Sequence, residues 1–347
     1  FRFRLREWEL YTVNSICPGC STGCNVEIHH GQGEIWRLVP RENQDVNKFW
    51  MCDEGRFTYK QVRGRRIAGA RIGQGRGLPM SIASVEKAIT YAAQKLGKVQ
   101  DEGGTIGVVF GAQVQNEALY ALDQAAELLA QSGAKVVRYL SGKAPRPERQ
   151  DKILRTADVN PNSAGARVLG GVKAQPFESL LADLTAGKLK ALWLVGEDTP
   201  LSGEAALAPL VSALDKLELF IVQAVHDSPL TPRAQVLLPA AAWAEIDGTF
   251  TNKQGHVQRL HRAVEPPGDA RSHLELVGLL CAKLGLASGQ PWQQSPRQAF
   301  HHMVGAVRAS LPPDVSGPNV SPAWGFSRAD WGREAPPLQL RFANSRG

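Results

Sequence analysis

The chain has 347 residues, 43% of them hydrophobic, with 40 Lys and Arg against 33 Asp and Glu for a net charge of +7. That length suffices for two domains and a small third segment, and no apolar run approaches the length of a membrane span, which excludes direct membrane insertion through a helix. Five cysteines in so long a chain exclude a disulfide framework. The basic residues gather at Arg2, Arg4 and Arg6 and again at Arg63, Arg65, Arg66 and Arg76. They come without an aromatic platform or nucleic-acid motif, so a solvated face or a docking surface for an acidic partner is expected, and no nucleic acid.

Residues 1–58 read as a small metal-binding module. The opening Phe1-Arg2-Phe3-Arg4 has neither an initiator methionine nor an apolar signal core, as expected of a piece of something longer. Cys17, Cys20 and Cys24 then follow at C-x2-C-x3-C spacing, with Cys52 as a distant fourth. Structural zinc usually takes its ligands as two separated pairs. Three local thiolates and one remote one suit the corners of a cubane iron–sulfur cluster better. Disulfides would have to bridge a tight loop between close neighbours. Gly19 and Gly23 are expected to let the loop curl through positive φ, turning N–H groups toward the sulfurs. Val26 and Ile28 alternate with polar neighbours, Gly31 and Gly33 offer a turn, and Glu34 to Leu38 resumes, which predicts a β-hairpin between the third and fourth ligands. His29 and His30 lie by its tip, remote from the cysteines, and read as exposed polar residues.

Residues 59–80 are rich in Arg and Gly and read as a connector; Gly73-Gln74-Gly75-Arg76-Gly77 within it is too weak to mark a nucleotide loop. From 81 to 285 helices and strands alternate. Ser84 caps a helix whose Val85, Ile89, Ala92, Ala93 and Leu96 share one face. Strands follow at Thr105–Phe110, Lys135–Leu140, Ala191–Val195, Glu218–Val222 and Val236–Leu238. Helices are expected from an Asn116 cap and near 176–187, 203–215 and 273–284, with a Pro- and Gly-bearing loop over 141–175. Single helices between strands imply right-handed crossovers and a doubly wound, mostly parallel α/β sheet. Cys281 sits in an apolar helical stretch as a small core residue. Residues 286–347 read as an extended tail with one helical patch at 297–309.

Ligand loops are expected at the carboxyl ends of the strands, at 111–116, 196–199 and 223–227. No dinucleotide or phosphate-loop motif is present there. Glu197 and Asp198 could meet ribose hydroxyls but read equally as solvated turn residues. His226-Asp227 is the one adjacent pair with acid–base potential, and with nothing to arrange it reads as plain loop.

The cysteine loop, the hairpin, Pro40 to Asn43, Val46-Asn47 and Trp50 to Phe57 resemble the large iron–sulfur subunit of respiratory complex I, the NADH:quinone oxidoreductase. That family is related to the molybdopterin oxidoreductases such as formate dehydrogenase. Asn116-Glu117, Asp158 to Asn162 with Gly165-Ala166, and Glu245 to Arg259 around Gly248-Thr249-Phe250-Thr251-Asn252 carry the resemblance on to about residue 285. It implies that Cys17, Cys20, Cys24 and Cys52 hold a [4Fe–4S] cluster of structural or vestigial role, off the main electron route. It further implies other peripheral-arm subunits as partners and a place on the cytoplasmic side of the inner membrane. The rival inheritance is the catalytic subunit of a molybdoenzyme. Against it, Glu54 stands where relatives commonly have Lys between cluster and pterin, no spare cysteine offers a molybdenum ligand, and the α/β region is short; molybdopterin is therefore not expected. The cluster module and the α/β domain are expected to have separate cores, so that Cys24→Ala leaves the latter folded.

Overall fold

The computed structural model describes residues 4–73, 79–171, 174–286, 289–293 and 295–309. The stretch 74–78 of the expected connector, the opening Phe1-Arg2-Phe3 and the tail from 310 onward lie outside them.

The first unit is a three-stranded antiparallel sheet of β1 (Tyr11–Ile16), β2 (Asn25–Gly31) and β3 (Glu34–Pro40), ordered β1-β2-β3. The hairpin β2–β3 stands as expected; β1 adds a third strand that pairs with β2 from Tyr11↔His30 to Ile16↔Asn25. Its register sets Cys17 and Cys24 at the mouth of one strand pair. Alternation puts Ile16, Val26, Ile28 and Leu38 inside, and a register shift at His29/His30 brings Ile35 in with them. The chain then returns through the short helix α1 (Asp53–Arg56), which Cys52 caps.

The Arg- and Gly-rich stretch contributes strand β4 (Ala70–Gly73) and leads to β5 (Met80–Ala83), an antiparallel pair. The larger element series follows: α2 (Val85–Asp101), β6 (Thr105–Gly111), α3 (Asn116–Gln131), β7 (Lys135–Ser141), α4 (Ser163–Leu169), α5 (Phe177–Thr185), β8 (Ala191–Val195), α6 (Glu204–Leu214), β9 (Leu219–Ala224) and β10 (Val236–Pro239). After them come the hairpin β11 (Gly248–Thr251) and β12 (Val257–Leu260), then α7 (His273–Lys283) and α8 (Pro296–Ala309). Ser84 caps α2 through its hydroxyl, which accepts from Lys87 N at 3.2 Å. Asn116 does not cap α3; Gln115 holds that position, and the Asn116 amide instead turns inward to Thr249 and Thr251, 3.0 Å from each hydroxyl.

The seven-stranded sheet runs β5-β4-β10-β9-β8-β6-β7, with β7, β6, β8, β9 and β10 parallel and β4 and β5 antiparallel at one edge. Its middle strands read Ala191-Leu192-Trp193-Leu194-Val195 and Leu219 to Val222, buried throughout, as a sheet covered on both faces requires. One face packs on α2, α3, α7 and α8, where Cys281 is buried; the other packs on α5 and α6. The fold is therefore a small antiparallel module followed by a doubly wound α/β domain.

The expected separation of cores is corrected by a third apolar cluster. Ile16, Cys17, Cys24, Val26, Ile28 and Leu38 share one interior with residues 241–246, Phe250, Leu260 and Val264. Hydrophobic burial is contiguous across the module boundary, so the cysteine loop and the β11–β12 segment stabilise each other.

Candidate functional site

The four sequence-predicted cysteines come together at the end of the small sheet. Cys17 N donates to Cys24 O at 2.9 Å, and Gly23 N donates to Cys20 O at 3.4 Å, closing the loop on itself. Gly23 adopts φ +69°, where a side chain is strained, and a Cβ there would run into Gln258 Oε1 and Asn252 Cβ. Gly19 does not share that conformation. Its role is close approach, since a Cβ would stand 3.3 Å from Thr58 Cγ2 and 3.4 Å from Cys17 Sγ. Cys52 Sγ accepts the Gly55 N–H at 3.3 Å. A Cβ on Gly55 would lie 3.2 Å from Cys17 Sγ and 3.4 Å from Cys52 Sγ, so the first and fourth thiols flank one glycine.

Burial pushes the Cys17 thiol up to about 12, against the pull of the Gly19 N–H. Burial raises Cys24 further, and Cys17, Cys20 and Cys52 all add to that shift, which shows the four thiols to be one electrostatic neighbourhood. Cys52 is also raised, first by burial, although the Gly55 N–H and the Arg149 charge oppose it. Bare thiolates are therefore disfavoured here, and a bound cationic group is what would hold them ionised. Among the described residues no three Cys, His, Asp or Glu side chains close on a point as the ligands of a single ion do. Four neighbouring thiols, N–H donors to two of them and glycines facing the sulfurs fit a [4Fe–4S] group better than one zinc.

His29 and His30 stay away from the thiols, as expected, but they are half-buried rather than exposed. His29 accepts from Arg37 Nε at 3.0 Å, and the His30 ring lies tilted against Tyr11 with centroids 5.8 Å apart. Residues that the sequence offered only as part of the family resemblance, or not at all, fix the loop. Asn47, buried, accepts from Asn25 N at 2.9 Å and donates to the carbonyls of Arg41 and Trp50 at 3.1 Å each, which ties the return toward Cys52. Gln258 donates to Gly23 O at 2.6 Å, and Asn252 to Thr22 O at 3.3 Å. The most consequential newcomer is Arg149, from the 141–175 loop. Its side chain is 3% exposed and lies 2.6 Å from Glu54. No local pattern announces that pairing, which depends on the tertiary fold.

A cleft opens at the carboxyl ends of β6, β8, β9 and β10, between sheet and cluster module, where Pro18 and Gln61 also line it. Its inner part measures about 350 Å³ and continues into an outer part of about 730 Å³. Glu197 is no solvated turn residue. It accepts the N–H groups of Val225 and His226 at 3.1 Å each and faces His226 Nδ1 at 3.2 Å. His226 Nε2 in turn lies 2.7 Å from Gln61 O, so His226 ties sheet to module, whereas Asp227 points elsewhere, 3.3 Å from Arg71. Asp198 is pushed up to about 6, by burial first, with Lys143 opposing.

Comparison with known proteins bears on this arrangement. Residues 10–64 match the molybdopterin oxidoreductase Fe4S4 domain, and residues 140–283 match the molybdopterin oxidoreductase model. Both models describe one family, and together they take in more than half of the chain. The chain belongs to the molybdopterin oxidoreductase family. The Fe4S4 match encloses all four cysteines, and the larger match holds β8, β9 and β10 and most of the residues that line the cleft. Relatives include the F420-dependent formate dehydrogenase 2 subunit alpha of Methanococcus maripaludis, 36% identical over 40% of this chain and 19% of its own length. The NADH-ubiquinone oxidoreductase 75 kDa subunit of Reclinomonas americana is 30% identical over 47% of this chain and 23% of its own. Each match thus spans less than a quarter of the relative. Acetylene hydratase from Pelobacter acetylenicus shares the fold, with TM-score 0.55 and 10% identity over 83% of this chain and 71% of that one. This oxidoreductase-family chain has, among its described residues, no helix long and apolar enough to cross a membrane.

Proposed function

We propose that the chain is the cluster-bearing, non-catalytic portion of the large peripheral-arm subunit of an NADH:quinone oxidoreductase. In this reading Cys17, Cys20, Cys24 and Cys52 hold a [4Fe–4S] cluster, which when bound supplies one-electron chemistry. The α/β domain serves as a scaffold against neighbouring peripheral-arm subunits, on the cytoplasmic side of the inner membrane.

One observation carries the non-catalytic part. Among the described residues, every Lys and Arg that lines the cleft has a carboxylate of this chain beside it. Lys143 is 3.6 Å from Asp198, Arg146 is 2.9 Å from Glu148, and Arg149 is 2.6 Å from Glu54. A pterin dinucleotide brings a pyrophosphate, and enclosing that charge without free cations is costly. These pairings, with Glu197 and Asp198 also lining the cleft, support the reading without a pterin.

The cavity at the strand ends, together with the formate dehydrogenase relatives, favours a second reading as part of a molybdopterin catalytic subunit. Elemental analysis of the anaerobically purified protein separates the two. The proposal expects about four irons per chain and no molybdenum or tungsten. Molybdenum near one per chain would replace it with the catalytic reading.

A further inference from the structure

The 146–158 segment is built onto the cysteine loop. The Asp151 carboxylate gathers the N–H groups of Ile153, Leu154 and Arg155 at 2.9, 2.6 and 3.0 Å and the Arg155 Nε at 2.8 Å. That turn is stitched to the loop where Thr22 Oγ1 donates to Leu154 O at 2.7 Å and Ser21 N to Asp158 O at 3.1 Å. The result delivers Arg149 to the gap between the cysteine loop and the start of α1. One Nη of Arg149 lies 2.6 Å from Glu54 Oε2, and the other donates to Gly19 O at 3.4 Å. Its Nε is buried without a partner. Arg155 reaches the other Glu54 oxygen at 3.7 Å.

A guanidinium in this place does more than close a surface ion pair. Its side chain is 3% exposed, so its field is weakly screened. Its two contacts, Gly19 O between Cys17 and Cys20 and Glu54 two residues past Cys52, place it beside the thiol cluster. Adding an electron to a thiolate-held cluster adds negative charge, and a fixed buried cation favours that state.

We propose that Arg149 is the positioning residue that sets the charge balance of the cluster site: held across Gly19 and Glu54, it stabilises the reduced cluster and raises its reduction potential. The role rests on the cluster reading above. Reduction here takes one electron from a low-potential reductant such as dithionite; no bond is made or broken and Arg149 keeps its proton. Glu54 opposes Arg149, so the two residues act on the potential in opposite directions.

The test is a mediated redox titration of the reconstituted full chain, read by low-temperature EPR. Arg149→Met should lower the midpoint potential, because it leaves the Glu54 carboxylate unbalanced. Arg149→Lys should fall between it and the unsubstituted chain, keeping the charge but losing the fork. Glu54→Gln should raise the potential. An intact cluster with unmoved potential in Arg149→Met shows a merely structural ion pair and overturns the role. If Arg149→Met assembles no cluster, Glu54→Gln decides, and an unchanged or lowered potential there overturns the role equally. An unsubstituted chain that binds no iron overturns the cluster reading itself, and the role with it.

Discussion

His226 shows how one side chain ties cluster module to sheet. Both of its ring nitrogens face acceptors, Glu197 Oε1 at 3.2 Å and the Gln61 carbonyl at 2.7 Å, so the protonated ring satisfies both contacts and the neutral ring only one. Burial works against the charge, but the Glu197 carboxylate and the Gln61 carbonyl outweigh it, and His226 titrates above its ordinary value. A raised folded value gives stability that is complete below about pH 6.5 and lost as pH rises through the folded value. Glu197, held below the usual carboxylate range by His226 and the Val225 N–H against burial, keeps its own contribution until the pH falls toward its folded value. His226→Leu should therefore cost about 1–3 kcal/mol in urea unfolding at pH 6 and clearly less at pH 9. An equal loss at both would contradict a charged tie. The sequence offered His226-Asp227 as an adjacent pair, but the partner that matters is Glu197, in the loop after the neighbouring strand β8.

At the scale of elements, the segment after the module is locked by Arg66. It makes a two-pronged contact with Glu245 at 2.6 and 2.7 Å, with side chains 7% and 2% exposed, and its fork also donates to the carbonyls of Val62 and Ala240. Removing one partner leaves the other charge buried and unpaired. Arg66→Ala should thus cost about 3–5 kcal/mol in urea unfolding, while replacing both residues with apolar ones should cost much less. Comparable losses in the single and double substitutions would contradict this. The strands of the parallel core were legible to within a residue or two, because continuous apolar runs flanked by helical periodicity admit little else. The β4–β5 edge was not. Its Arg71, Ser81 and 87%-exposed Ile82 lack the alternation of a half-buried strand, and pairing with β10 is what makes β4 one. Asn116 misled for a related reason: its cap chemistry was outbid by two buried threonine hydroxyls from β11.

The molecule as a whole places four thiols where the small module, the 146–158 segment and the β11–β12 hairpin meet. The cysteine quartet was legible because its spacing is local, apart from one return. Its supports were less so: Asn252 and Gln258 stand in the stretch that carries the family resemblance but nothing local aims them at the loop, and Arg149 reaches it from a stretch with no signal at all. The shared interior of the cysteine loop and residues 241–264 means that the site and the fold are one cooperative structure, so cluster loss should be felt beyond the first 58 residues. On the reading proposed above, the quartet encloses an iron–sulfur cluster. Anaerobic protein, reduced with dithionite and examined by low-temperature EPR alongside thiol alkylation, tests it most directly. A brown protein with a reduced-cluster signal is expected, with Cys17, Cys20, Cys24 and Cys52 shielded from alkylation until a chelator strips the iron. Colourless protein carrying a single zinc, or one in which those four thiols react freely once unfolded without any iron released, would contradict it.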